Sequence, residues 1–253
     1  YYTATGNSLF VARHIEKNPI SIPQELKKEN LNYEDEIIGI VAPIYAGELP
    51  KTVRKFIEKA NFQTKYFYLL LTYGNKDSVA SVWSEQFCLK NEIHVDYIQT
   101  IQMVDNYLPS FDMQEQMSID KKENLQIQEA LCDIQLRKKK IPQPTQEGKE
   151  LYERVRKRFQ EHPELNNGET IMMSERCSGC GICTKVCPIG NIVLEKGKAK
   201  RLSQICDFCL ACVHNCPFHA IELRIDKNPD VRYRHQDITL KDIVNANQQG
   251  GKR

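Results

Sequence analysis

Short apolar runs alternating with amphipathic stretches organise the larger, amino-terminal part of the chain. Residues 37 to 42, 66 to 72 and 95 to 103 are apolar runs of strand length, and the stretches 51 to 60 and 78 to 91 carry helical spacing. That alternation predicts an α/β unit, a doubly wound parallel sheet flanked by helices. Tyr1-Tyr2 reads as the end of a first strand truncated at its start, and Leu9, Phe10, Ala12, Arg13 and Ile15 continue as a helix. Residues 113 to 160 are charged and helical, broken around Pro142 and Pro144, and read as a sheet-flanking helix and a connector. Their basic groups, Arg137 to Lys140 and then Arg154, Arg156, Lys157 and Arg158, read as solvated helix faces.

In a sheet of this kind ligands bind beyond the carboxyl ends of the strands, where three loops fall. Thr3-Ala4-Thr5-Gly6-Asn7-Ser8 joins the first strand to a helix. Its hydroxyls and amides form an anion site at a helix amino terminus, where the dipole favours negative charge. Pro43-Ile44-Tyr45-Ala46-Gly47 and Thr72-Tyr73-Gly74-Asn75 follow the next two strands.

The chemistry of the remainder lies in its cysteines. Cys177-x2-Cys180-x2-Cys183-x3-Cys187-Pro188 recurs 29 residues later as Cys206-x2-Cys209-x2-Cys212-x3-Cys216-Pro217. Ile192 and Leu194 recur in the same way as Ile221 and Leu223, apolar pairs placed to pack over a bound group, as a duplicated unit would have them. A tetrahedral zinc knot is the plainer alternative, but it needs no third regularly spaced cysteine and no following Cys-Pro. Ten cysteines in 253 residues fall well below the roughly 8–10% of a disulfide scaffold. Cys88 and Cys132, in helical patterns among apolar neighbours, read as core thiols, and the six histidines form no cluster, with His214 and His219 expected at the surface.

The length suits one medium domain and one small one. The formal charge of +2 turns mildly acidic once anionic metal clusters are added, which argues against nucleic acid as a partner. No apolar run approaches the roughly 18 residues of a membrane span, and unpaired thiols point to a reducing, cytoplasmic setting.

The paired cysteine runs resemble those of bacterial two-cluster ferredoxins. The resemblance implies two 4Fe-4S clusters, one held by Cys177, Cys180, Cys183 and Cys216, the other by Cys206, Cys209, Cys212 and Cys187. The loop from Thr3 to Ser8 is similar to the flavodoxin loop that holds the phosphate of FMN, and the loops at Pro43 and Thr72 stand where flavodoxins grip the isoalloxazine ring. Four phosphate hydrogen bonds at about 1.5 kcal/mol each supply about 6 kcal/mol, roughly half of nanomolar binding, so the ring must supply the rest. Tyr45, Tyr73 and Tyr107 are the candidates to stack on it, and Gly47 to offer it a carbonyl. The chain lacks an acidic-tryptophan loop and has Tyr45 where flavodoxins often carry tryptophan.

As a whole the sequence resembles the flavodoxin-ferredoxin fusion proteins of anaerobic bacteria and archaea. This implies a flavodoxin-like domain over 1–165, a small α+β two-cluster ferredoxin domain over 166–228, and a tail over 229–253. The tail is expected to carry a short helix at 239–244 and to clasp the ferredoxin domain. The implied role is an electron carrier that relays between the clusters and FMN and so converts between one- and two-electron partners, which would be ferredoxins or other oxidoreductases. A flavin-dependent reductase of a small acceptor and a ferredoxin with an empty docking domain are the alternatives. A homodimer would be needed if one chain held flavin and clusters far apart.

Overall fold

The computed structural model describes residues 1–249; residues 250–253, the end of the expected tail, lie outside the described residues. The amino-terminal unit begins with α1 (Asn7–Ile15), α2 (Ile22–Glu25), β1 (Asn32–Glu34), β2 (Ile37–Pro43), α3 (Lys51–Lys59) and β3 (Asn61–Gln63). It continues with β4 (Tyr66–Tyr73), α4 (Ala80–Lys90), β5 (Tyr97–Gln102), α5 (Met113–Ser118), α6 (Glu123–Gln135) and α7 (Gln146–Glu161). Strands β2, β4 and β5 lie side by side and parallel, with Ile37 opposite Tyr66 and Tyr68 opposite Tyr97. The short parallel pair β1–β3 extends the β2–β4 register, Asn32 facing Asn61. At the other edge Tyr2 N–H donates to Val41 O (2.9 Å) and Ile22 N–H to Tyr1 O (2.8 Å). The three-stranded sheet β2–β4–β5 is therefore flanked beside β2 by the segment 1–2, which in turn bonds the start of α2.

Every residue of β4 from Tyr66 to Thr72 is buried because helices cover both faces. Tyr68 and Leu70 enter one core with Leu9 and Phe10 of α1 and Ile127 and Ile134 of α6. Phe67, Leu69 and Leu71 enter the other with Val53, Phe56 and Ile57 of α3 and Cys88 of α4. Full burial of each large apolar side chain contributes about 1.5–3 kcal/mol. Cys88 is the expected core thiol, its pKa pushed up to about 12 by burial. Cys132 is not: α6 turns Ile127, Ala130 and Ile134 inward, which leaves Cys132 exposed.

After a 3₁₀ turn at Pro163–Leu165 come β6 (Ile171–Met173), α8 (Ile182–Val186), β7 (Ile192–Glu195), β8 (Lys198–Arg201), α9 (Ala211–His214) and β9 (Ile221–Leu223). β6 pairs antiparallel with β9, and β7 with β8. The cysteine repeat extends to the backbone: Gly179, Gly181 and Gly190 have positive φ, and so do Phe208, Leu210 and His219 at the matching positions of the second half. Ile192, Ile221 and Leu223 are buried as expected, whereas Leu194 is 44% exposed.

The tail corrects two expectations. Its helix α10 (Leu240–Asn247), started by a Thr239–Asp242 capping box, packs against both α8 and α2, so the tail ties the cysteine-rich unit to the α/β unit instead of clasping the former alone. Asn247 Nδ2 donates to Thr3 O (2.9 Å) and Val186 O (3.3 Å), one from each unit. His214 is a buried joint and not a surface histidine: Nε2 pairs with Asn106 O (2.8 Å), Nδ1 accepts from Tyr233 N–H (3.1 Å), and burial lowers its pKa to about 4.

Candidate functional site

The eight clustered cysteines separate into two sets of four around two cavities. Cys177, Cys180, Cys183 and Cys216 line one, with Leu194, Phe218 and Ile221 as its apolar walls. Cys187, Cys206, Cys209 and Cys212 line the other, with Ile171, Ile192 and Leu210. In each set three cysteines come from one run and the fourth from the other, because α8 and α9 pack together and each run's last cysteine lies beyond its helix. Among the described residues no three His, Cys, Asp or Glu side chains stand close enough to hold a single metal ion.

Backbone amides are aimed at the sulfurs. Asn191 N–H donates to Cys187 Sγ, Ala199 N–H to Cys177 Sγ, Phe208 N–H to Cys206 Sγ and Ala220 N–H to Cys216 Sγ, each at 3.3 Å. Donors of this kind favour thiolate over thiol and raise the reduction potential of a cluster bound there. Burial works against ionisation in the free thiols. It pushes Cys183 up to about 12, with the neighbouring Cys177, Cys216 and Cys180 adding to the shift, and holds Cys209 and Cys212 well above the usual thiol range. Cationic iron is what would let so many buried sulfurs be anionic together.

A third cavity, of about 530 Å³, opens at the carboxyl ends of β2, β4 and β5, within the range of roughly 300–1,000 Å³ typical of small-molecule sites. It gathers all three predicted loops. Thr3, Thr5, Asn7 and Ser8 line it, as do Pro43, Ile44, Tyr45, Ala46 and Gly47, and Thr72, Tyr73, Gly74 and Asn75. Gly6 alone of the predicted set stands behind the wall. Its φ of +110° turns the chain into α1, and a β-carbon there would lie 2.9 Å from those of His235 and Ile238 in the tail.

Hydrogen bonds fix each loop. Asn106 Nδ2 donates to Thr5 Oγ1 (2.6 Å), Tyr233 OH to Asn7 Oδ1 (2.6 Å), and the Ser8 and Thr72 hydroxyls share a hydrogen bond (2.8 Å). The first amides of α1 lack intrahelical partners, as at any helix start, and add anion-binding capacity. In the second loop Tyr45 and Glu48 exchange backbone hydrogen bonds around Ala46 (φ +53°) and Gly47 (φ +83°), the pattern of a type I′ turn. A β-carbon on Gly47 would meet Tyr152 Cδ2 at 2.9 Å, so a side chain there would disturb α7 as well as the turn.

Sequence reasoning missed two parts of this cavity. The first is α7, which falls in the stretch that reads as a sheet-flanking helix and a connector. Its Leu151, Tyr152, Val155 and Phe159 line the cavity, and this stripe at helical spacing in a charged helix was the legible signal. Buried Glu48 clamps α7 in place by accepting from Tyr152 OH (2.8 Å) and pairing with Arg156 (3.1 Å) and with Arg54 of α3 (3.0 Å). The second is the cysteine-rich unit, which contributes Asp207, Phe208, Cys209 and Leu210 as a wall. The loop after β5 lines the cavity as well, and its Tyr107, one of the candidates to stack on the ring, lies edge-on to Phe208 with ring centroids 6.1 Å apart.

A family model described as a 4Fe-4S dicluster domain matches residues 176–221, the segment that contains all eight clustered cysteines. No curated protein and no solved structure matches the chain. No helix among the described residues is long and apolar enough to cross a membrane. The chain thus carries a 4Fe-4S dicluster domain of ferredoxin type, whose chemistry is iron-sulfur electron transfer with redox partners, beside a mixed α/β unit built on parallel strands.

Proposed function

We propose that this protein is a cytoplasmic electron carrier with a flavodoxin-like unit, in which FMN occupies the large cavity and serves with two 4Fe-4S clusters as a converter between one- and two-electron redox partners. The observation that carries this reading is the cavity at the carboxyl ends of the parallel strands, where a hydroxyl-rich loop opens a helix and aromatic loops stand opposite. The parallel order β2, β4, β5, with the segment 1–2 hydrogen-bonded beside β2, supports it, since ligands of such sheets bind beyond the carboxyl ends of the strands.

Thr3, Thr5, Asn7 and Ser8 would hold the phosphate with the first amides of α1, and Tyr45, Tyr73 and Tyr107 would flank the ring. Cys177, Cys180, Cys183 and Cys216 would hold one cluster, and Cys187, Cys206, Cys209 and Cys212 the other. The clusters supply single-electron transfer and the flavin stores one or two electrons. The chain's own part is to fix these groups and to cover the large cavity with α7. That cover, clamped through Glu48, favours exchange with protein partners over turnover of a small acceptor. A single chain brings the cavity and one cysteine site to a common wall, so the relay does not require a homodimer.

The test is the content of FMN and iron per chain after anaerobic purification with reconstituted clusters. The reading expects about one FMN and about eight irons. Iron without FMN, even after FMN is added, would leave a two-cluster ferredoxin joined to a docking scaffold.

A further inference from the structure

The two cysteine cavities are not equivalent with respect to the large cavity. Cys209 lines both the second cysteine cavity and the large one, and Asp207 and Leu210 are shared in the same way. No residue around the first cysteine cavity reaches the large cavity. Cys209 also packs against both hydrophobic cores of the α/β unit, whereas Cys177, Cys206 and Cys216 pack within the core of their own unit. The first cavity lies outward, with Cys180 exposed and Phe218 49% exposed beside it.

The internal repeat shows that this asymmetry is written in the residues. Around its first two cysteines the first half has Gly179 and Gly181 in left-handed backbone conformations, where glycine is free of strain. The second half keeps the same conformations but fills them with Phe208 (φ +52°) and Leu210 (φ +58°). Bulky residues are genuine outliers there, and such strain collects at functional sites. Both side chains are buried and both line the large cavity, on either side of Cys209. The loop is held against the α/β unit by Asp207, which accepts from Tyr2 OH (2.9 Å) and Thr52 N–H (3.3 Å), and by Lys51 Nζ donating to Cys206 O (3.0 Å).

We infer that the tripeptide Phe208-Cys209-Leu210 is the electron junction of this protein. The site of Cys187, Cys206, Cys209 and Cys212 faces the large cavity, and the site of Cys177, Cys180, Cys183 and Cys216 faces the redox partner. This inference rests on FMN as the occupant of the large cavity. Electrons from a low-potential one-electron reductant enter at the outer site and pass to the inner one. They cross one at a time at Cys209 Sγ, so each transfer reoxidises the inner site by one electron. Two transfers, with two protons from solvent, complete the reduction of the flavin. Phe208 and Leu210 act as positioning residues that seal the junction against water.

The experiment uses the full chain with reconstituted clusters and FMN, partly reduced with dithionite, and reads the microwave-power saturation of the flavin radical by electron paramagnetic resonance. In Cys180→Ala, which lacks an outer ligand, fast relaxation of the radical should persist. In Cys206→Ala, which lacks an inner one, it should fall to that of flavin without a neighbouring metal centre. The opposite pattern overturns the inference while leaving FMN binding intact. Absence of FMN from the unsubstituted chain overturns the reading beneath it, and the inference with it.

If either ligand variant loses both clusters, Phe208→Gly with Leu210→Gly decides, since it installs the residues of the first half and keeps all eight ligands. It should retain full iron content, weaken FMN about tenfold for each side chain removed, and slow reduction of the bound flavin by the clusters. Unchanged FMN affinity and unchanged reduction rate would overturn the assignment.

Discussion

Tyr2 and Asp207, 205 positions apart in sequence, meet in a buried hydrogen bond of 2.9 Å that joins the segment beside β2 to the loop between Cys206 and Cys209. The same carboxylate oxygen takes the Thr52 amide in the first turn of α3, where the helix dipole favours a negative charge. The cysteine-rich unit is therefore seated on the α/β unit by a group that belongs to the second cysteine run.

Replacing Asp207 with alanine strands the Tyr2 hydroxyl and the Thr52 amide in a buried place, at a cost of about 2 kcal/mol. Hydrogen exchange should show faster opening along 206–210 and the start of α3, with β4 and β5 unchanged. Unaltered exchange at both places would show that the units are held together without this contact.

Glu48 predicts the behaviour of α7. Glu48→Ala removes the acceptor for Tyr152, Arg54 and Arg156 together, and α7 has no fully buried residue of its own to hold it. Limited proteolysis within 142–165 should accelerate, and bound FMN should dissociate faster. Cleavage at the parental rate would mean that the apolar stripe alone keeps α7 in place.

Aromatic contacts should carry much of the flavin affinity. Tyr45→Ala and Tyr107→Ala should each raise the Kd for FMN about tenfold by fluorescence titration, consistent with a stacked ring contributing about 1.5 kcal/mol. If neither alters the affinity, the ring lies elsewhere in the cavity.

The tail should loosen in acid. Arg13 beside Asp242 (2.5 Å), with help from Thr239, depresses the Asp242 carboxyl to about 2, below the roughly 3.9 of an unfolded aspartate. A depressed folded-state value means that this stabilisation is complete above the unfolded pKa and is lost as pH falls from about 4 to about 2. Hydrogen exchange of 239–249 should rise across that window, and Arg13→Met should abolish the rise. An identical profile in the variant would assign acid release to another group.

Iron removal should act locally. With its thiols protonated and its clusters gone, the unit from 171 to 223 has only a small core, while the sheet keeps both of its own. Amides of β6 to β9 should exchange rapidly in iron-free protein while those of β2, β4 and β5 stay protected. Equal protection before and after would show that the small unit folds without metal.

Much of this arrangement was legible along the chain. The two cysteine runs stand out by their spacing, and their resemblance to two-cluster ferredoxins names the sulfur sets, while the apolar run from Tyr66 to Thr72 has the length and composition of a strand covered on both sides. Loops that follow such strands lie at one sheet edge, so Thr3 to Ser8, Tyr45 and Tyr73 could be brought to one place on paper. Cys132 and His214 were misplaced because burial depends on which helix face meets a neighbour, and nothing local in the sequence states that.

By itself the sequence determined the strand-helix alternation, the two repeated cysteine runs and the loops that line the large cavity, since each is set by spacing over a few residues or by a repeat. Only the tertiary structure decided that α7 covers the cavity, that the tail binds both units, and that Cys209 and not the outer cysteines stands at the wall. These depend on contacts such as Tyr2–Asp207, Glu48–Tyr152 and Thr3–Asn247, made between residues more than 100 positions apart. Such pairs leave no periodic trace in either partner, because what they satisfy is a buried hydrogen-bonding group that exists only once the chain has folded.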